Sequence, residues 1–288
     1  MFARLLPRDA SALLSGLTFG AHGDFNKELK DAMVRSGTTH LVALSGYNIT
    51  IIAYAIFLAL GSLLPRRITF IATFAAILFF VLMVGGAASV VRAALMGSLV
   101  LLARESGRLY DVGHAIVLTA FCMVLLDPTL PVSDIGFLLS FMSLLGIIYI
   151  APLFERLLHA DKRADLLEWR TVLATTMGAQ ASVIPILLTA FGTVSLMGVV
   201  SNLFILVAVP LTMFLGMVLA LFGAFSTAFG IVFGWFVSLI LGYELGVIRF
   251  FSAIAFPLTL PISPWIFTIL YYIILTIMVT RFMRKHIS

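Results

Sequence analysis

Leu196–Phe222, LMGVVSNLFILVAVPLTMFLGMVLALF, runs for 27 residues without a charged side chain. A helix needs about 20 apolar residues to cross a hydrocarbon core of roughly 30 Å, so this stretch is long enough to span a bilayer. Its apolar residues are continuous and do not alternate, which points to a helix and away from a barrel strand. The rest of the chain is similar. Of its 288 residues, 62% are hydrophobic and 11% charged, where a soluble domain carries about 25% charged residues; the mean hydropathy is +1.16. The expected fold is an all-α polytopic integral membrane protein. A soluble enzyme held by a single anchor is excluded, and little mass is left for a second folded domain.

Nine apolar stretches can be drawn: Leu41–Leu64, Ile68–Val84, Ala88–Ala103, His114–Leu126, Ile135–Ala151, Thr171–Ala190, Leu196–Phe222, Phe229–Phe251 and Trp265–Arg281. The third and fourth are short enough to be re-entrant or enclosed by the other helices. Ahead of them, Asp9–Phe19 and Asp24–Arg35 read as amphipathic helices at the membrane surface, each opened by a capping Asp. The expected organisation is therefore an interfacial segment over residues 1–40 and a membrane core over 41–288. No cleavable signal peptide is expected at the N-terminus. Cys122, the single cysteine, sits in an apolar run and rules out an intramolecular disulfide.

Charge orients the spans. Arg66, Arg67, Arg104, Arg108, Arg156, Lys162, Arg163, Arg170, Arg281, Arg284 and Lys285 occupy alternate loops and the tail, while the loops 127–134, 190–195 and 252–264 hold no Lys or Arg. By the positive-inside rule the C-terminus is cytoplasmic, and nine spans place the first forty residues outside. That N-terminal segment carries five basic residues of its own, nearly balanced by Asp9, Asp24, Glu28 and Asp31.

Four blocks carry polar groups into these apolar runs. In HLVALSGYN, His40–Asn48, residues Ser45 and Asn48 share one helical face with Leu41, and His40 lies on the neighbouring face. Small residues there serve either close helix packing or a polar path. In GGAASVVRAALM, Gly85–Met96, residues Gly85, Ser89 and Arg92 align on one face after a glycine pair. An arginine at mid-span costs about 2.5–3.5 kcal/mol on insertion scales, so Arg92 either faces a polar interior or snorkels to the surface.

The third block, Asp127–Ile147, places Asp127 with Pro128 at a span end and Asp134 as the cap of the next; Gly136, Ser140 and Ser143 form a small-residue stripe. The fourth, Ala179–Leu211, puts Gln180 and Asn202 inside spans that Pro185 and Pro210 break. Such prolines free carbonyls that must line a cavity or meet another helix. Glu244 stands inside the eighth stretch, too far around the helix from Arg249 for a good ion pair.

In this order and spacing the four blocks resemble the membrane domain of the ComEC-type competence family, over about Asp9–Leu211. The resemblance rests on His40, Ser45, Gly46, Arg92, Asp127, Pro128, Gly136, Phe137, Ser140, Phe141, Ala179, Gln180, Pro185, Phe191, Gly192, Ser195, Leu196 and Asn202. Tyr47-Asn48 departs from the Leu-His of many relatives, so no histidine role carries over. The family resemblance implies a plasma-membrane channel that admits single-stranded DNA during natural transformation, with a DNA receptor and a cytoplasmic motor or nuclease acting in trans. Membrane lipid and a second copy of the chain are further expected partners. Relatives often add an OB-like domain and a metallo-β-lactamase-like domain; neither is expected here. The five histidines are scattered, so no zinc site, cofactor or enzymatic activity is expected. The residues expected along the DNA path or polar interior are Arg92, Asn48, Ser45, His40, Gln180, Asn202, Glu244 and Ser140. The alternative is a carrier for a lipid or small anionic solute with a midplane site.

Overall fold

A computed structural model of the chain describes residues 2–20, 25–41, 60–158, 169–225, 227–259 and 264–287. The described residues are almost wholly helical: α1 (Phe2–Leu5), α2 (Arg8–Phe19), α3 (Lys27–Ser36), α4 (Arg66–Met83), α5 (Ala88–Glu105), α6 (Val112–Leu126), α7 (Ile135–Leu157), α8 (Trp169–Phe191), α9 (Met197–Phe225), α10 (Thr227–Ile254) and α11 (Pro264–Ile287). Four helices are long and apolar enough to cross a membrane: α7, α8, α9 and α10. Four shorter apolar helices lie within α4, α5, α6 and α11. Most of the first expected span, Leu41–Leu64, falls outside the described residues.

Local chemistry explains the helix ends. Asp111 opens α6 by accepting the His114 N–H at 2.7 Å. Asp134 caps α7 as expected, through the Phe137 N–H at 3.0 Å. Asp127, just beyond α6, folds back on the N–H (2.9 Å) and hydroxyl (2.7 Å) of Thr129. Asp9 is not the cap of α2: Pro7 holds that position, Asp9 lies inside the first turn, and Gly20 at φ +62° closes the helix. Asn26 accepts the Glu28 N–H at 3.4 Å ahead of α3, while the expected cap Asp24 lies outside the described residues.

Two elements differ from expectation for reasons the structure makes plain. The apolar run beginning at Ile135 was expected to end near Ala151, but the helix continues to Leu157. Pro152 would clash with the preceding turn, and the backbone widens into a π-helical turn over Gly146–Ile150 just before it. The loops 190–195 and 252–264, read from the sequence only as connections without Lys or Arg, pair as a short antiparallel ladder: β1 (Thr193–Ser195) faces β2 (Pro257–Thr259), with Val194 opposite Leu258.

The chain forms two compact units, each discontinuous in sequence: residues 1–30, 39–137 and 207–246 in the first, and residues 31–38, 138–206 and 247–288 in the second. In unit 1, α2 is enclosed and does not lie on a surface. Leu13, Leu14 and Leu17 are at most 1% exposed, and Ser11 and Thr18 are buried as well. Glycines make the room. A Cβ on Gly216 of α9 would come within 2.6 Å of Leu14 Cδ1, and one on Gly230 of α10 within 3.1 Å of Leu5 Cδ1. In unit 2, α7 and α8 cross antiparallel through Gly146 and Gly178. A Cβ on Gly146 would sit 2.4 Å from the Gly178 carbonyl and from Ser182 Oγ, and one on Gly178 2.7 Å from Ala151 N. Without a hydrophobic drive between helices in lipid, such backbone contact is what holds them together.

Candidate functional site

The fourth sequence block assembles a polar seam in unit 2. α8 carries Gln180 and ends at Phe191; Gly192, at φ +70°, turns the chain into β1. β1 delivers Ser195 to the end of α3, where its hydroxyl donates to the Arg35 carbonyl. One turn into α9, Ser201 donates to the Ser36 carbonyl at 2.8 Å. These two hydroxyls satisfy carbonyls that the end of α3 leaves without intrahelical donors.

Gly37, at φ +73°, completes the contact: a Cβ there would lie 2.6 Å from Gly198 Cα. Gln180 Nε2 reaches the Ser195 carbonyl at 3.5 Å. Asn202 is 5% exposed, and its Oδ1 has no hydrogen-bond partner among the described residues. Gln180, Ser195 and the Ser201-Asn202 pair are thus brought together around the end of α3. Ser140 lies half-buried in α7, and Ser143 donates to its carbonyl at 3.0 Å.

The carbonyls freed by Pro185 do meet another helix. Proline supplies no N–H to Ala181 four residues earlier, and its ring crowds that turn. Tyr271 of α11 donates to the Ala181 carbonyl at 2.7 Å, and Tyr272 to the Ser182 carbonyl at 2.9 Å. α8 thus runs on as one helix through the proline expected to break it; Tyr271 supplies the donor that Pro185 withholds from Ala181, and Tyr272 donates to the neighbouring carbonyl.

Unit 1 holds the charged members of the expected set. Arg92 is half-buried in α5, with Nη1 3.7 Å from Met96 Sδ one turn on. Gly85 does not share its face, because Gly85 and Gly86, at φ +81° and +70°, form the turn before α5 begins at Ala88. Glu244 of α10 is 1% exposed, and Thr212 of α9 donates to its Oε1 at 2.6 Å. Thr212, not Arg92, is the hydrogen-bond partner of Glu244 among the described residues. His40 lies exposed in a single 3₁₀ turn, Thr39–Leu41. Ser45 and Asn48 lie outside the described residues.

A family model described as "Competence protein" matches residues 17–285. The chain belongs to the competence protein family. The match reaches past Leu211, so α10 and α11, with Glu244, Tyr271 and Tyr272, lie inside the family region, which is wider than the four blocks alone indicate. The chain is 26% identical over 235 residues to ComE operon protein 3 of Bacillus subtilis (strain 168). The aligned part covers 81% of this chain and 29% of that protein's length. No solved structure matches. Family membership and the long apolar helices make this a membrane protein of the competence family.

Thr212, Tyr271, Tyr272 and Ser201 were missed in the sequence. Pro185 signals that donors are required, and the Tyr-Tyr pair in an apolar helix supplies them. Only the packing of α8 on α11 joins the two signals.

Proposed function

We propose that this chain forms a plasma-membrane channel that passes single-stranded DNA into the cytoplasm during natural transformation. The observation that carries the reading is the competence-family match over residues 17–285, which takes in all four motif blocks. In this reading a receptor delivers the strand, and a cytoplasmic motor or nuclease acts in trans. The chain itself is a non-enzymatic conduit, alone or as a homo-oligomer.

The proposed topology has nine spans, the N-terminal segment outside and the C-terminus in the cytoplasm. Two contacts support this alternation. β1 and β2, which pair with each other, both come from loops without Lys or Arg. Arg156 lies over the ring of Phe282, and both come from basic chain ends. Each contact joins loops to which the charge pattern gives the same side.

Within the conduit, Arg92 supplies the counter-charge for phosphate, with amides and hydroxyls of Asn48, Ser45, Gln180, Asn202 and Ser140 as weaker contacts; His40 and Glu244 complete the proposed polar set. A conduit needs sites that are individually weak, so that no phosphate is trapped. The test is transformation in a strain lacking this gene, complemented with the parent, Arg92→Ala and Arg92→Lys chains, with uptake measured per folded molecule. The Ala variant is expected to fold and insert normally while losing at least about tenfold in uptake. The Lys variant should keep part of it, since a point charge still meets phosphate without the bidentate fork. Parental uptake by a normally folded Ala variant removes Arg92 from the path.

A further inference from the structure

Three chain ends of unit 2 converge. α7 finishes at Arg156 and Leu157, α8 opens at Trp169 and Arg170, and α11 carries Arg281, Phe282 and Arg284 near its end. The antiparallel crossing of α7 and α8 brings the end of one beside the start of the other. Arg156 joins α11 to them, its guanidinium carbon 5.5 Å from the Phe282 ring centroid. Arg170 lies over the Trp169 ring at 5.3 Å. The described residues of these ends hold four arginines and one carboxylate, Glu155.

Two features of this cluster select its ligand. α7 and α8 are apolar helices of spanning length that stop at these residues, so the cluster lies where hydrocarbon gives way to headgroups. Trp169, 41% exposed, is the amphipathic ring typical of that depth. Each guanidinium also lies over an aromatic ring, and it carries N–H donors in the fork that suits a phosphate. A nucleic-acid strand would instead call for open ring faces on which bases stack, and here arginines lie over the rings of Trp169 and Phe282. We infer that this end of unit 2 binds the phosphate of an anionic phospholipid headgroup, with Arg156 and Arg170 as its principal donors.

The test uses the full chain in neutral detergent with Trp235→Phe and Trp265→Phe, which leaves Trp169 as the single tryptophan. Phosphatidylglycerol in mixed micelles should change Trp169 emission saturably, while phosphatidylcholine should not. Arg156→Gln with Arg170→Gln should raise the half-saturating mole fraction at least about fivefold. A measurement with both arginines intact guards against misfolding of that variant: brominated phosphatidylglycerol should quench Trp169 more strongly than brominated phosphatidylcholine. Equal quenching by the two lipids overturns the inference. Inorganic phosphate that displaces the lipid at millimolar concentration would make this a free-anion site. Displacement by a single-stranded oligonucleotide would make it a nucleic-acid contact. Either displacement overturns the lipid assignment.

Discussion

The two units differ in what their polar side chains reach on neighbouring elements. In unit 2, Ser195, Ser201, Gln180, Tyr271 and Tyr272 all reach main-chain carbonyls of other elements, at Arg35, Ser36, Ser195, Ala181 and Ser182. In unit 1, Thr212 bonds a side chain, Glu244, and the hydroxyls of Thr73 and Thr119 are buried with no partner among the described residues. Thr119 also lines a mostly apolar cavity of about 370 Å³ with Phe70, Phe74 and Cys122. The contrast has an exception on each side: in unit 2 the Asn202 Oδ1 is buried with no partner among the described residues, and in unit 1 Thr69 donates to the Leu60 and Leu64 carbonyls. Substitutions of the carbonyl-binding side chains in unit 2 should act through stability. Unit 1 is where a polar residue can be altered with function changed and the fold kept, which is why Arg92 is the sharper functional candidate than Gln180.

The largest difference is expected between two glycines of the same backbone class. Gly37 and Gly85 both have positive φ, but a Cβ on Gly37 meets the Gly198 backbone at 2.6 Å while one on Gly85 meets nothing within 4 Å. Gly85→Ala should cost only the left-handed backbone term, about 1–2 kcal/mol. Gly37→Ala adds overpacking of about 1–3 kcal/mol and should lower the detergent melting temperature much further or abolish folding. Equal melting of the two variants would show that the end of α3 is not rigidly seated on α9.

Next in size is the buried carboxylate. Thr212→Val leaves Glu244 with one donor fewer in an enclosed site, which costs about 1–3 kcal/mol, whereas Glu244→Gln keeps an oxygen for the Thr212 hydroxyl. The valine variant should melt below the glutamine variant, and the double variant should sit near the glutamine one. Melting of Thr212→Val at the parent temperature would show that this hydroxyl does not support Glu244.

Smaller again is the repair of the proline break. Tyr271→Phe removes one interhelical hydrogen bond, worth about 0.6 kcal/mol on average in membrane proteins and up to about 1.7. Pro185→Ala restores an N–H within reach of the Ala181 carbonyl, so the tyrosine should matter less in that background. The two changes should be non-additive in a double-mutant cycle of melting free energies. Strict additivity would mean that the phenol does not substitute for the missing amide.

These cases mark how much the sequence discloses. The all-helical membrane class, the cap at Asp134 and the order of most helices are local properties, set by apolar run length and by one side chain within three residues of a helix start. What it does not disclose depends on partners distant in the chain. Pro185 announces a need that Tyr271 and Tyr272 meet some 90 residues later. The amphipathic pattern of α2 suits a membrane surface as well as a pocket, and the close approach of Leu14 and Thr18 to Gly216 of α9 is what decides for the pocket. The apolar stretch from Ile135 ends near Ala151, but α7 runs on to Leu157, because a π-helical turn over Gly146–Ile150 accommodates Pro152. Of the proposed path, Gln180 and Asn202 are legible as one block together with the motif residue Ser195, and their convergence on the end of α3 is not, since no local rule joins residue 36 to residue 201.

The smallest expected effect concerns acid. Asp111 and Asp127 flank α6 in unit 1 and are both exposed, yet each carboxyl is held below the usual carboxylate range. For Asp111 the main cause is the His114 backbone N–H, followed by the His114 ring; for Asp127 it is the Thr129 hydroxyl, followed by the Thr129 N–H. A depressed folded value means that the charged form is favoured by folding. The contribution is fully present above the unfolded value of about 3.9 and is lost as pH falls through the lower folded value. The tryptophans allow the units to be followed separately, since Trp235 lies in unit 1 and Trp169 in unit 2. Between pH 5 and pH 2.5, the thermal transition reported by a single Trp235 should fall by a few degrees more than that reported by a single Trp169. Asp111→Asn with Asp127→Asn keeps an acceptor oxygen at both helix ends but removes the titration, so the excess fall at Trp235 should vanish. If it persists in that double variant, the acid sensitivity of unit 1 arises elsewhere, and the two helix-end carboxylates contribute nothing to the contrast.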